Sequence, residues 1–286
     1  MREANAIVSH LFNEFLGLSS AGVVLNSNVM ISTGNLKLIY RAVDLLKKKM
    51  PLQYVLGHCE FYGLRFNSDY RALIPRPETE ELVAWKLNDA TQSNATRSGG
   101  VVTRHRRVKK ATLRILDVGT GCGCIAVALK KNILNSEVFA LDVSDEALSL
   151  AAENALVHGA DIKFIKADVL DSDSLKEVMK KIAPASGGID IVVSNPPYIE
   201  KKDSSAMDAN VLDFEPHQAL FAPDKPPLIF YKAIAGIALK IMKPGGKLYF
   251  EMNEKYGSEL SRMLEAKGFC NCEVKKDIHE KNRMLR

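Results

Sequence analysis

The residues of this chain best suited to chemistry are Asn195-Pro196-Pro197-Tyr198. Pro196 and Pro197 lack an N–H and have a fixed φ, so the turn they make is stiff and the Pro196 carbonyl can be presented outward. Asn195 adds a side-chain carbonyl acceptor beside it. Two acceptors held together suit a planar –NH2 group, which brings two donors. Tyr198 adds a flat aromatic face on which an amide or a base can stack. Taken alone, Asn-Pro-Pro is also ordinary loop punctuation after a strand.

A second constellation lies upstream, in Gly119-Thr120-Gly121-Cys122-Gly123. Glycines there let the backbone turn sharply and approach a ligand closely. A dinucleotide fingerprint is G-x-G-x-x-G, with the pyrophosphate on the helix N-terminus. Here the third glycine comes one position early, and Cys124 stands where the fingerprint wants glycine. An acid near the end of the preceding strand and a G-x-G-x-G turn suit a ligand with no pyrophosphate but a cationic amino-acid end. That describes S-adenosyl-L-methionine, with a nicotinamide dinucleotide as the rival. Asp142 falls about 20 residues further on, where such folds hold ribose hydroxyls. Asp168 stands where an adenine edge would be read, and Val169 could pack on the ring.

These groups need a scaffold, and the sequence supplies one. From Leu113 onward strands and helices alternate as in an α/β, doubly wound sheet. Strands are expected at 113–118, 137–142, 162–167, 189–194, 246–252, 269–275 and 281–285. Helices are expected at 123–134, 145–158, 173–182, 228–242 and 256–267. Ligands in such sheets sit outside the carboxyl ends of the strands, which is where both constellations fall. The segment 199–226 has no strong periodicity, and loops that long are usually functional or disordered.

Before this sheet come two amphipathic helices, over 3–17 and 35–49, which make residues 1–50 a small helical unit suited to docking. Residues 51–75 read as a connecting β-hairpin carried by Glu60–Phe66 and by 70–74. Ile74-Pro75-Arg76-Pro77-Glu78-Thr79-Glu80 fixes an extended segment and starts a helix expected over 80–88. Arg76 and Glu78 read either as braces of the site or as a surface ion pair. Residues 76–286 form the main domain, interrupted at 91–111 by a basic linker containing Arg104-His105-Arg106-Arg107-Val108-Lys109-Lys110. Such runs are usually solvated loops.

The 286 residues are 47% hydrophobic and 26% charged, the composition of a globular protein, and no apolar run is long enough for a membrane span. The N-terminus has no secretory pattern, because Arg2, Glu3, Asn5 and His10 interrupt any apolar core. Five cysteines do not make a disulfide framework, and a reducing cytoplasm is expected. Cys122/Cys124 and Cys270/Cys272 are too closely spaced for ordinary zinc pairs, so buried thiols and no metal are expected. A net charge of +5 biases the chain only mildly toward acidic partners, and nucleic acid is not expected as a primary partner.

The Ile74–Glu80 segment, Asp117-Val118-Gly119-Thr120-Gly121-Cys122-Gly123, Asn195-Pro196-Pro197-Tyr198 and Lys243-Pro244-Gly245-Gly246 occur in the order they take in the HemK/PrmC family. The chain resembles that family of peptide-chain-release-factor N5-glutamine methyltransferases from Gln53-Tyr54 to its C-terminus. The resemblance implies a class I S-adenosylmethionine-dependent methyltransferase fold, a Rossmann-like seven-stranded sheet behind a small helical N-terminal domain. It implies that the acceptor is the glutamine amide in the Gly-Gly-Gln loop of a release factor. Gly119 to Gly123 and Asp142 match donor-binding positions. Asn195 matches a position touching donor and acceptor, and Pro196, Pro197 and Tyr198 complete the acceptor site. Val169 stands where many relatives have Trp, and Glu251-Met252-Asn253 where many have Glu-x-Gly.

Two other acceptor classes remain open at this point, a glutamine of a ribosomal protein and an adenine of nucleic acid. The Asn-Pro-Pro-Tyr motif alone is shared with adenine-N6 methyltransferases, but no DNA-recognition domain is evident. A non-enzymatic, donor-binding interaction module is the third alternative. The intact glycine loop and tetrad argue against it.

Overall fold

A computed structural model describes residues 2–25, 28, 30–96, 112–182, 187–222 and 228–286. Its N-terminal part is helical: α1 (Arg2–Leu16), α2 (Ser20–Leu25) and α3 (Thr33–Lys47). The start of α3 is set by Ser32, whose hydroxyl accepts from Asn35 N at 3.2 Å, an N-cap that satisfies one of the helix's free donors. A short α4 (Leu52–Leu56) ends at Gly57, where φ is +75°. Strands β1 (His58–Phe61) and β2 (Leu64–Asn67) then pair antiparallel. Tyr62 and Gly63 both have positive φ (51° and 70°), the two-residue turn whose twist suits a hairpin.

The expected strand character of 70–74 does not materialise. Asp69 accepts from Arg71 N at 3.0 Å and also grips its guanidinium, which turns the chain out of the sheet. Helix α5 (Pro77–Thr96) starts with proline in its first turn and runs further than the 80–88 expected. Residues 91–96 of the expected linker are therefore its last turns. The rest of that linker, including the basic run at 104–110, lies outside the described residues.

The main sheet contains β3 (Leu113–Val118), β4 (Ser136–Asp142), β5 (Ile162–Lys166), β6 (Ile189–Ser194), β7 (Met242–Glu251), β8 (Val274–Lys276) and β9 (Asn282–Leu285). Their spatial order is β5-β4-β3-β6-β7-β9-β8. The first five are parallel, and β9 runs antiparallel to both its neighbours. The chain moves outward from β3 through β4 to β5, then returns to the other side of β3 as β6. The order thus reverses between β3 and β6, the crevice where doubly wound sheets bind ligands. Ser194 Oγ donates to Val118 O at 2.6 Å and ties the two strand ends together there.

Side-chain alternation explains how both faces are filled. Ile115, Val138, Ala140, Ile191, Val193 and Tyr249 join one core cluster with residues of α5, α6 (Cys124–Asn132) and α7 (Asp145–Val157). Leu116, Phe139, Leu141, Val192, Leu248 and Phe250 join the other, with α8 (Ser172–Ile182), α11 (Ile229–Ile241) and α12 (Gly257–Ala266). The strand expected at 269–275 is cut to Val274–Lys276, because Asn271 sits at φ +58°. The unpatterned stretch after β6 holds a 3-10 turn (Lys201–Ala206), α9 (Ala209–Phe214) and α10 (His217–Leu220).

Candidate active site

A cavity of about 410 Å³ opens at the carboxyl ends of β3, β4 and β6. Of the residues singled out from sequence, Gly119, Thr120, Gly121, Cys122, Asp142, Asp168, Val169, Asn195, Pro196 and Pro197 all line it. Gly123 and Tyr198 do not. Gly123 faces α7 instead, where an added Cβ would lie 3.0 Å from Ala151 Cβ. Its role is close packing of the glycine turn on a helix. By contrast, Gly119 (φ +71°) and Gly121 (φ +55°) have open space beside them, so the turn brings bare backbone to the cavity.

The carboxylates around the turn are held by backbone donors. Asp142 Oδ2 accepts from Gly121 N at 2.9 Å and Oδ1 from Ser144 N at 3.0 Å. Burial nevertheless pushes its carboxyl above the usual range, with these donors working against the shift. Asp117 is fully buried and accepts from Thr120 Oγ1 at 2.7 Å. Burial raises its carboxyl to about 7, and its Oδ1 is a buried oxygen with no hydrogen-bond partner among the described residues. An orphaned acceptor of this kind is costly to leave unmet, and it stands directly behind the glycine turn. Asp168 accepts from Leu170 N at 2.8 Å, which shapes the loop beside Val169.

The hairpin is coupled to this turn through Asn154 of α7. Its Oδ1 accepts from Asn67 N at 2.7 Å, and its Nδ2 donates to Cys122 O at 2.9 Å. Cys59, Cys122 and Cys124 are all buried, and burial raises the Cys59 thiol to about 12. Cys270 is exposed, contrary to the expectation of buried thiols. No group of three or more His, Cys, Asp and Glu residues among the described residues could hold a metal.

A second cavity of about 530 Å³ adjoins the first. The two share Leu73, Arg76, Ala219 and the run Asn195-Pro196-Pro197. Tyr198, Gln53, Met207, Glu215 and Glu251 lie on the second cavity's side only. The proline corner is thus a partition, with the glycine turn on one side and a separate pocket on the other.

Behind the partition sits a buried polar group that sequence reasoning did not assign. Glu251 ends β7, one residue past the Ser194↔Phe250 pairing, and so stands beside Asn195. Thr79 Oγ1 donates to Glu251 Oε2 at 2.6 Å, and Tyr198 OH donates to Glu251 Oε1 at 3.1 Å. Asn195 Nδ2 in turn donates to Thr79 Oγ1 at 3.2 Å. Arg76 is paired with buried Glu215, while Glu78 stands in the first turn of α5. The signal for Thr79 and Glu251 was present in the sequence: one is polar at a position that becomes buried, the other is an acid at the end of an apolar strand.

A family model described as the methyltransferase small domain matches residues 103–212. The release factor glutamine methyltransferase of Flavobacterium psychrophilum is 37% identical over 100% of this chain and 92% of that protein. That of Bacteroides thetaiotaomicron is 35% identical over 99% of this chain and 92% of its own length. Among solved structures, the N-terminal domain of human METTL16 in complex with SAH aligns over 98% of this chain and 92% of that one. The TM-score is 0.54 at 16% identity, so that likeness shows the fold alone. Identity near one third over almost the full length of both proteins shows the family, and this chain belongs to the release factor glutamine methyltransferases.

Proposed function

We propose that this chain transfers a methyl group from S-adenosyl-L-methionine to the side-chain amide N5 of the glutamine in the Gly-Gly-Gln motif of peptide chain release factors. The observation that carries the reading is the partition: Asn195-Pro196-Pro197 faces a nucleoside-sized cavity with a glycine turn and an acceptor-sized pocket at once. The residues present fit the donor. Gly119 and Gly121 leave room for its amino-acid end against bare backbone. Asp142 keeps acceptor capacity for ribose hydroxyls, and Asp168 with Val169 would serve the adenine.

When bound, the donor supplies an electrophilic methyl group; the chain's own residues supply geometry. A glutamine amide nitrogen is a poor nucleophile because its lone pair is delocalised into the carbonyl. Asn195 Oδ1 and the Pro196 carbonyl would accept its two N–H hydrogens and aim the nitrogen through the partition. The rigid Pro196-Pro197 backbone keeps these acceptors preorganised, so catalysis rests on positioning and fixed dipoles rather than on a tuned base. Tyr198, tethered by its hydroxyl to Glu251, lines the acceptor pocket. The helical residues 1–50 serve as a docking unit for the acceptor protein, and exposed Leu38 and Tyr40 on α3 suit that role. The encounter would take place in the cytoplasm.

Incubating the protein with a purified release factor and isotopically labelled donor, then sequencing tryptic peptides by mass spectrometry, tests the assignment. Label on the Gly-Gly-Gln glutamine is the expected result; label on another residue, or none, overturns it. Asn195→Ala should lower kcat by about 10²–10³-fold while leaving donor binding largely in place.

A further inference from the structure

We infer that Thr79 and Glu251 form a relay that fixes which end of the Asn195 carboxamide faces the acceptor pocket, and that this makes the site select a neutral carboxamide over a carboxylate. The inference rests on the reading that the acceptor is a glutamine side chain, and it adds a basis for specificity to that reading.

The argument is one of proton bookkeeping. A carboxamide has an oxygen end and an –NH2 end of nearly equal shape, so sterics alone do not orient it. Asn195 is oriented by its neighbour. Thr79 has a single hydroxyl proton, and at 2.6 Å that proton is committed to Glu251 Oε2. The remaining lone pairs of Thr79 Oγ1 can only accept. Only the –NH2 end of Asn195 can satisfy them, and Nδ2 lies 3.2 Å away. No described residue donates to Asn195 Oδ1, and that oxygen is not among the buried unsatisfied atoms, so it remains open to the cavities that Asn195 lines.

Glu251 is what makes the relay one-directional. Its side chain is 1% exposed, and both oxygens accept from hydroxyls, Oε2 from Thr79 and Oε1 from Tyr198. Burial pushes the Glu251 carboxyl above the usual carboxylate range, and the Thr79 and Tyr198 donors hold it down. The ionised carboxylate only accepts, so Thr79 donates to it, Asn195 donates to Thr79, and the pocket receives an acceptor. An acceptor attracts the –NH2 of glutamine and repels the carboxylate of glutamate. Reversing the relay would present –NH2 to the pocket and invert that preference. Thr79 and Glu251 are thus positioning residues: they act through Asn195 and need not touch the substrate.

Two near-isosteric variants test this. Thr79→Val keeps shape and removes the hydroxyl, while Thr79→Ser restores it. Glu251→Gln keeps shape but gives the relay an –NH2 donor, which can turn the Thr79 hydroxyl around. The readouts are kcat on the intact release factor, donor affinity by calorimetry, and competition by the same release factor with its target glutamine changed to glutamate. Losing one oriented buried hydrogen bond should lower kcat by about 10-fold or more in Thr79→Val and Glu251→Gln. Donor affinity should stay within about 3-fold, and the glutamine-over-glutamate binding ratio should fall by about 10-fold. Thr79→Ser should behave as wild type. Unchanged kcat and an unchanged binding ratio in a folded Thr79→Val protein would overturn the inference, as would Thr79→Ser being as impaired as Thr79→Val. If Thr79→Val does not fold, Glu251→Gln decides by the same ratio. Wild-type protein that leaves the release factor unlabelled would instead sink the acceptor assignment, a separate outcome.

Discussion

Arg76 Nη2 lies 2.7 Å from Glu215 Oε1, joining two segments 139 residues apart in the chain. The carboxylate is almost wholly buried, with 1% of its side chain exposed, and its other oxygen accepts from Ile74 N at 3.1 Å. The pair therefore pins the segment carrying α9 and α10 against the extended strip that leads into Thr79, and both partners line the second cavity. Arg76→Ala would strand a buried charge. Arg76 keeps 33% of its side chain exposed, so the loss should be about 2–3 kcal/mol, below the roughly 3–5 of a fully buried pair. The double variant Arg76→Ala/Glu215→Gln removes the stranded charge as well and should be more stable than Arg76→Ala alone. Denaturant melts check the order. Acceptor KM should rise in Arg76→Ala.

The two kinds of glycine in the turn after β3 should separate experimentally. Gly123 has φ +84° and an added Cβ would press on Ala151 of α7, so Gly123→Ala combines backbone strain with overpacking. A loss of about 2–4 kcal/mol is expected from the two effects together. Gly121 has open space, so Gly121→Ala should cost about 1–2 kcal/mol of stability through its positive φ alone. Its larger effect should fall on donor affinity, because the methyl group would project beside the cavity. Thermal melts with and without donor distinguish the two variants.

Asp117 gives the fold a pH dependence of predictable sign. Burial raises its carboxyl from 3.8 to about 7 in the folded chain. Between those values the folded state holds a proton that the unfolded state has lost, so stability falls as pH rises through that window and levels off above it. Asp117→Asn removes the titration. Its stability should change less between pH 4 and pH 7 than that of the wild type, with the difference on the order of a few kcal/mol. Chemical denaturation at several pH values measures it. A wild-type profile as flat as that of Asp117→Asn would show that the carboxyl is not buried as described.

The sheet was legible because its strands are short, apolar runs separated by helical periods, and strands 113–118 and 189–194 fall where expected. That Gly119 to Cys122, Asp142 and Asp168 gather around one cavity was legible too, since glycine spacing reports backbone shape directly. The relay was less so. Thr79 and Glu251 are separated by 172 residues, and nothing local in either segment says that α5 will bring one to the end of β7. The tether of Tyr198 to Glu251 likewise joins distant parts of the chain and leaves no local mark in the sequence. The turn at 70–74 was misread because its apolar alternation resembles a strand, whereas Asp69 and Arg71 bend it through side-chain bonds that periodicity does not register.

Trp85, the one tryptophan of the sequence, offers a spectroscopic handle on the far edge of the sheet. The Arg286 guanidinium lies 5.1 Å from its ring centroid, and Lys275 Nζ lies 5.7 Å away. Tyr249 meets the ring edge-on at 5.9 Å. Arg286 also bonds Asp89 and Glu273, so a single side chain links α5 to the residue just before β8. Burial favours a neutral Asp89, yet donors from Tyr249, Arg286 and Lys247 hold its carboxyl down at about 2. Arg286→Ala removes a cation from the ring and a donor from that carboxylate, a loss of about 1–2 kcal/mol. Because the ring is itself 7% exposed, stripping its cover should shift Trp85 emission to the red in the folded state. Lys275→Ala leaves Arg286 in place and should change stability by less than about 0.5 kcal/mol. Equal spectra and equal melts for the two variants would mean that Arg286 does not cap the ring in solution.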